Sequence, residues 1–112
     1  MSTQNFKSFE DFWPFYVREH SQFATRAFHF IGTSFGLFFL AATIFTGNLW
    51  FLLVGLVVSY AFAWTSHFFI EKNRPATFKY PFYSFLADFK MYALMWRGQM
   101  GQEVTKATNQ TA

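Results

Sequence analysis

The chain contains no cysteine. That removes disulfides, thiolate nucleophiles and cysteine-held zinc or iron–sulfur sites together. Any metal must be held by histidine, carboxylate or neutral oxygen. Histidine is itself scarce, and three are too few for the multi-histidine di-iron hydroxylases. Charge is also sparse: only 13% of the 112 residues are Asp, Glu, Lys or Arg, and none lies between Ala27 and Ile70. The nine cations flank that stretch, with Lys7, Arg18 and Arg26 before it and Lys72, Arg74, Lys79, Lys90, Arg97 and Lys106 after it. They form no basic cluster or stripe, which argues against nucleic-acid binding. The opening MSTQNFKSFEDFWPF has no basic region leading into an apolar core, so no secretory signal is expected there.

What the chain has in excess is apolar surface. Hydrophobic residues make up 53% and aromatics 25%. A soluble domain this small buries too little of its surface to hide that much. Crossing a bilayer takes about 20 mostly apolar residues per helix, and Ala27 to Ile70 is long enough for two crossings. Gly47-Asn48 between them is a turn signal. The expected fold is therefore all-α: an integral membrane helical hairpin with spans at about 26–46 and 49–70. An N-terminal and a C-terminal amphipathic interfacial helix flank it.

Ser8 is placed to cap the first flanking helix, Phe9 to His20, with Glu10 and Asp11 in its first turn and Pro14 near its start. Its aromatic face of Phe9, Phe12, Trp13 and Tyr16 suits either the membrane interface or packing on the hairpin. Ser21 or Thr25 caps the next helix. Pro75 and Pro81 bracket a loop, and a last helix runs from Phe82 to Arg97. Its apolar arc holds Phe82, Phe85, Leu86, Phe89, Tyr92, Ala93 and Trp96, with Asp88, Lys90 and Arg97 outside it. Residues 1–101 are read as one membrane-embedded domain, with residues 1–7 frayed and 102–112 a disordered polar tail. The connecting turn carries no cation, so both termini are expected in the cytoplasm. Trp50 then anchors the far interface, and Trp13, Tyr16, Tyr80, Tyr83 and Trp96 the near one.

Ionisable groups are costly in a membrane and mark function when kept. His29 lies 18 residues before Gly47 and His67 lies 19 after Asn48, so the two are level in an antiparallel hairpin. Glu71 follows His67 by four residues on the same helix face. Gly32 and Gly36 make a GxxxG step beside His29. Gly55, Ser59, Ala63 and His67 follow at intervals of four on the second span. Such small-residue stripes let helices approach closely. Facing stripes would turn both histidines into the seam, and His20 could fold onto the same spot. Three imidazoles and one carboxylate at the cytoplasmic rim suit iron, and zinc would also fit. The plainer reading makes each histidine a hydrogen-bonded structural group, Glu71 a solvated charge and the glycine step a packing or homodimer contact. Haem with His29 and His67 as axial ligands is a third reading, disfavoured because close backbones leave no room for a macrocycle.

The segments HSQFATRAFHFIG (His20 to Gly32) and WTSHFFIEKNRPA (Trp64 to Ala76) resemble a known family. It is the membrane 2-hydroxy fatty acid dioxygenases, of which the yeast protein for metabolism of phytosphingosine to odd-numbered fatty acids is a member, formerly a domain of unknown function. The resemblance covers roughly Phe12 to Trp96, with departures at Thr25 and Ser66. It implies an iron(II)-dependent dioxygenase that shortens 2-hydroxy fatty acids by one carbon, with membrane lipid, fatty acid and molecular oxygen as partners. It implies His20, His29 and His67 as iron ligands or their supports, and Glu71 as a fourth candidate. Arg74 is then the expected partner of the substrate carboxylate, while snorkelling explains Lys72 and Lys79.

Overall fold

The computed structural model describes residues 6–75 and 78–109, and among them every regular element is helical. Helix α1 spans Phe9–Arg18, α2 Phe23–Thr46, α3 Trp50–Ser66, α4 Pro81–Trp96 and α5 Met100–Asn109, and α3 runs directly into a π-turn at His67–Glu71. Where the sequence suggested one domain over 1–101, the chain divides into two compact units. One is the hairpin, Gln22–Pro75, and the other joins Met1–Ser21 with Ala76–Ala112. The expected fraying of residues 1–5, the loop residues Ala76 and Thr77, and the tail end 110–112 lie outside the described residues.

In the hairpin, α2 and α3 meet along the small-residue stripes. A methyl group added at Gly32 would sit 2.9 Å from the Ser59 carbonyl oxygen, and one at Gly55 would sit 2.9 Å from Phe39 Cβ. One at Gly36 would collide with Ser59 Oγ. The absence of Cβ atoms is what allows this approach. Ser59 Oγ donates to the Gly32 carbonyl at 2.8 Å and ties the stripes together. The GxxxG step is thus used inside the hairpin. Phe35 and Phe62 stack at 6.0 Å between ring centres.

The buried residues of these helices are small or polar: Thr25, His29, Gly32, Gly55, Ala63 and Ser66. The large ones, such as Ile31, Phe38, Leu53 and Val57, face outward. Helix α2, and α3 with its π-turn, have 24 and 22 residues and mean hydropathies of 1.7 and 1.6, long and apolar enough to cross a membrane. The core helix of a soluble protein would be mostly buried, whereas only 11% and 22% of these apolar windows are. Three threonine hydroxyls on the two helices are satisfied locally. Thr43, Thr46 and Thr65 donate to the carbonyls of Phe39, Ala42 and Ala61 at 2.9, 2.6 and 2.6 Å, so they need no water. Gly47 ends α2 in the left-handed region at φ 73°, and Asn48 Oδ1 accepts the Trp50 N–H at 3.0 Å, which starts α3.

The second unit is organised the opposite way. Ser8 Oγ accepts the Asp11 N–H at 3.2 Å, as its capping position predicts. The aromatic face of α1 then turns into protein: Phe12, Trp13, Tyr16 and Val17 are buried with Ala87 and Met91 of α4 and Met100 and Ala107 of α5. Trp13 and Tyr16 are therefore core residues and not interfacial anchors. Helix α4 begins with Pro81 at its first position, where the missing N–H costs nothing. Its inward side is Ser84, Ala87 and Met91, and the apolar arc with Phe82, Phe85, Leu86, Phe89 and Trp96 stays outside. Gly98 at φ 69° turns the chain, with Gln99 N–H bonded to Leu94 O at 2.9 Å. The tail expected to be disordered from 102 instead continues α5 to Asn109. Its physical reason is a short apolar stripe: Met100 and Ala107 are buried, Val104 packs against the same core, and Glu103 Oε1 accepts Trp13 Nε1–H at 2.9 Å.

Candidate metal centre

His29 projects from α2 one turn before Gly32, and the close seam at Gly32 encloses it. His67 opens the π-turn at the end of α3. Both are buried, and their rings meet edge-on with centres 5.3 Å apart. The level placement read from the sequence is thus realised within the hairpin. His67 Nδ1 lies 2.7 Å from Asn73 Oδ1. A carboxamide oxygen only accepts, so this contact keeps the proton on Nδ1 and leaves a lone pair on Nε2.

His20 follows α1 and is buried. Its ring stacks on Tyr16 at 4.0 Å, and its Nδ1 donates to the Tyr16 carbonyl at 2.6 Å. A backbone carbonyl has no proton to give, so Nε2 is again the nitrogen with the lone pair. Tyr16 donates its hydroxyl proton to Asp88 Oδ1. Burial pushes the Asp88 carboxyl up to about 7, against the opposing effect of that hydrogen bond. Within the hairpin, the buried and adjoining rings of His29 and His67 form a pair that could hold a metal ion. Neutral imidazoles are suitable donors for iron or zinc.

Glu71 is engaged elsewhere. Its Oε2 accepts the Gln22 N–H at 2.8 Å and the Thr25 hydroxyl at 2.7 Å, while Gln22 Nε2 donates to the Ile70 carbonyl at 3.1 Å. Helix α2 has neither an acidic residue in its first turn nor a side-chain cap. Glu71 supplies the negative charge its positive end favours, from the far arm of the hairpin. Arg74 is exposed. It lines an open groove of about 410 Å³ together with Phe68, Phe69, Lys72 and Asn73.

The sequence picked out the three histidines but not Asn73, Tyr16 or Asp88. Asn73 lies six residues after His67, a spacing that no regular helix turns into a contact. Tyr16 was legible only as part of an aromatic stripe. A family model described as 2-hydroxy-palmitic acid dioxygenase Mpo1-like matches residues 6–100. No curated protein and no solved structure was found to match the chain.

Proposed function

The chain belongs to the Mpo1-like family, and on that premise we propose that it is a membrane-embedded, iron(II)-dependent dioxygenase that removes one carbon from 2-hydroxy fatty acids. The observation that carries this reading is the buried pair of His29 and His67, whose rings meet inside the hairpin of a chain that has only three histidines. His20, His29 and His67 hold the metal. Two of them have Nδ1 committed to an oxygen acceptor, which presents Nε2 for ligation. Bound iron supplies the activation of molecular oxygen. Scission of the substrate's own carbon–carbon bond supplies the electrons, so no reducing cosubstrate is required. Glu71 braces the arms of the hairpin so that His29 and His67 stay level.

The two long helices cross the bilayer, with both termini on the cytoplasmic side, because the turn at Gly47 and Asn48 carries no cation. Phe68 and Phe69 receive the acyl chain and Arg74 pairs with the carboxylate. The amphiphile keeps its tail in lipid while its head reaches the metal.

Metal analysis and product analysis test this together. Purified wild-type protein should carry about one iron per chain and convert a 2-hydroxy fatty acid to the acid one carbon shorter. His20→Ala, His29→Ala and His67→Ala should each lose the metal and the activity. Full turnover by metal-free protein, or unchanged turnover in the three variants, overturns the assignment. Arg74→Ala should raise KM for the fatty acid by about tenfold, the worth of one charged hydrogen bond, and leave kcat near wild type.

A further inference from the structure

We propose that Asn73 is a positioning residue for His67, and that the π-turn and the left-handed residue after it serve to bring it there. The inference rests on the reading of His67 as a metal ligand. Were α3 to continue as a regular helix, residue 73 would stand on a different face from residue 67 and more than a turn away. Instead the helix widens at His67–Glu71, and the His67 carbonyl accepts the N–H groups of both Lys72 and Asn73, the latter at 2.9 Å. Lys72 adopts φ 60° and ψ 42°, a conformation that a side chain with a Cβ adopts only at a cost. Among the described non-glycine residues, only Lys72 has positive φ. Widened turns of this kind occur mostly at functional sites.

That costly path brings the Asn73 carboxamide oxygen to 2.7 Å from His67 Nδ1. The oxygen fixes both the ring plane and the tautomer, and so aims the Nε2 lone pair. His20 is held in the same manner by a backbone carbonyl, which no substitution removes. For His67 the task falls to a side chain. Asn73 also lines the groove beside Arg74, so the residue that aims the ligand borders the space proposed for the substrate.

The test is Zn²⁺ affinity of the full chain, purified in detergent and stripped of metal, measured by competition with a chelating dye, with circular dichroism as the check on folding. Asn73→Leu keeps the size of the side chain and deletes the acceptor, and should weaken binding by about 10–100-fold. Asn73→Asp keeps an acceptor at the same place and should bind as tightly as wild type or tighter. A role in packing alone predicts no advantage of Asn73→Asp over Asn73→Leu, because both keep the size of this half-buried side chain. Wild-type affinity in Asn73→Leu overturns the proposal. So does a loss in Asn73→Asp equal to or larger than that in Asn73→Leu, and if the leucine variant fails to fold, retained or lost affinity in Asn73→Asp decides alone. His67→Ala separates the two levels of inference. If it binds Zn²⁺ as well as wild type, the reading of His67 as a ligand falls and takes this one with it. If it loses binding while Asn73→Leu does not, only the role of Asn73 falls.

Discussion

In the hairpin, Gln22–Pro75, glycine, alanine, serine, threonine and histidine are inside while isoleucine, leucine, valine and phenylalanine are outside. In the other unit, phenylalanine, tryptophan, tyrosine and methionine are inside, around α1, α4 and α5. The first arrangement gains little from expelling water, because most of its large side chains stay outside, with Phe39 and Phe62 half-buried at the seam. Its arms are held by close backbone approach and local hydrogen bonds, the terms that work in lipid. The second gains from burial of apolar area, the term that works in water. One short chain thus uses two kinds of cohesion, and each should respond to a different perturbation.

The largest expected effect lies in the second unit. Asp88 in the folded chain holds its proton up to about pH 7, whereas its ordinary value is 3.8. A carboxyl shifted upward by folding contributes its full stability below pH 4, and that contribution is lost as pH rises through 7. At about 1.4 kcal/mol per tenfold change in proton affinity, the loss is up to about 4 kcal/mol. Unfolding measured from pH 4 to pH 8 should show this fall. Asp88→Asn, which still accepts from Tyr16, should remove most of it. A wild-type profile flat across that range would mean that Asp88 is solvated.

The hairpin should respond to bulk instead. Gly32→Ala forces a methyl against the Ser59 backbone and should cost about 1–3 kcal/mol, as overpacking does, with little dependence on pH. Denaturant titration in micelles reads the change. A neutral result would show that the arms separate freely. Trp13→Phe keeps the ring and removes the bond to Glu103, and should loosen α5 by about 1 kcal/mol, visible as faster amide exchange over Met100–Asn109. Smallest is Ser8→Ala, which deletes the α1 cap at a cost of about 0.5–1 kcal/mol of stability, read as a small fall in the thermal midpoint.

The hairpin was legible in the sequence because its signals are long or repeated. Two apolar helices, a Gly-Asn turn and glycines at intervals of four leave few alternatives. The inward face of α1 was ambiguous because an aromatic stripe can be covered by lipid or by protein, and its spacing is the same either way. Helix α5 was missed because Met100, Val104 and Ala107 form a thin stripe in a polar segment, and their partner is α1, at the other end of the chain. At the site, the pairing of His29 with His67 followed from counting residues to the turn. Glu71 was read with His67 alone, since its partners Gln22 and Thr25 lie on the other arm of the hairpin. Asn73 was hidden because a π-turn obeys neither helical nor extended periodicity.

The three-residue link of Gly47, Asn48 and Leu49 between α2 and α3 also bears on how such a hairpin is made. A connection that short gives the first arm no long loop to trail behind it. On the proposed membrane reading, the arms would therefore enter a bilayer as a pair, with their seam already closed. On that reading no bulky or charged cargo would be carried to the opposite leaflet, and a membrane-impermeant label applied from that side should find almost nothing to modify.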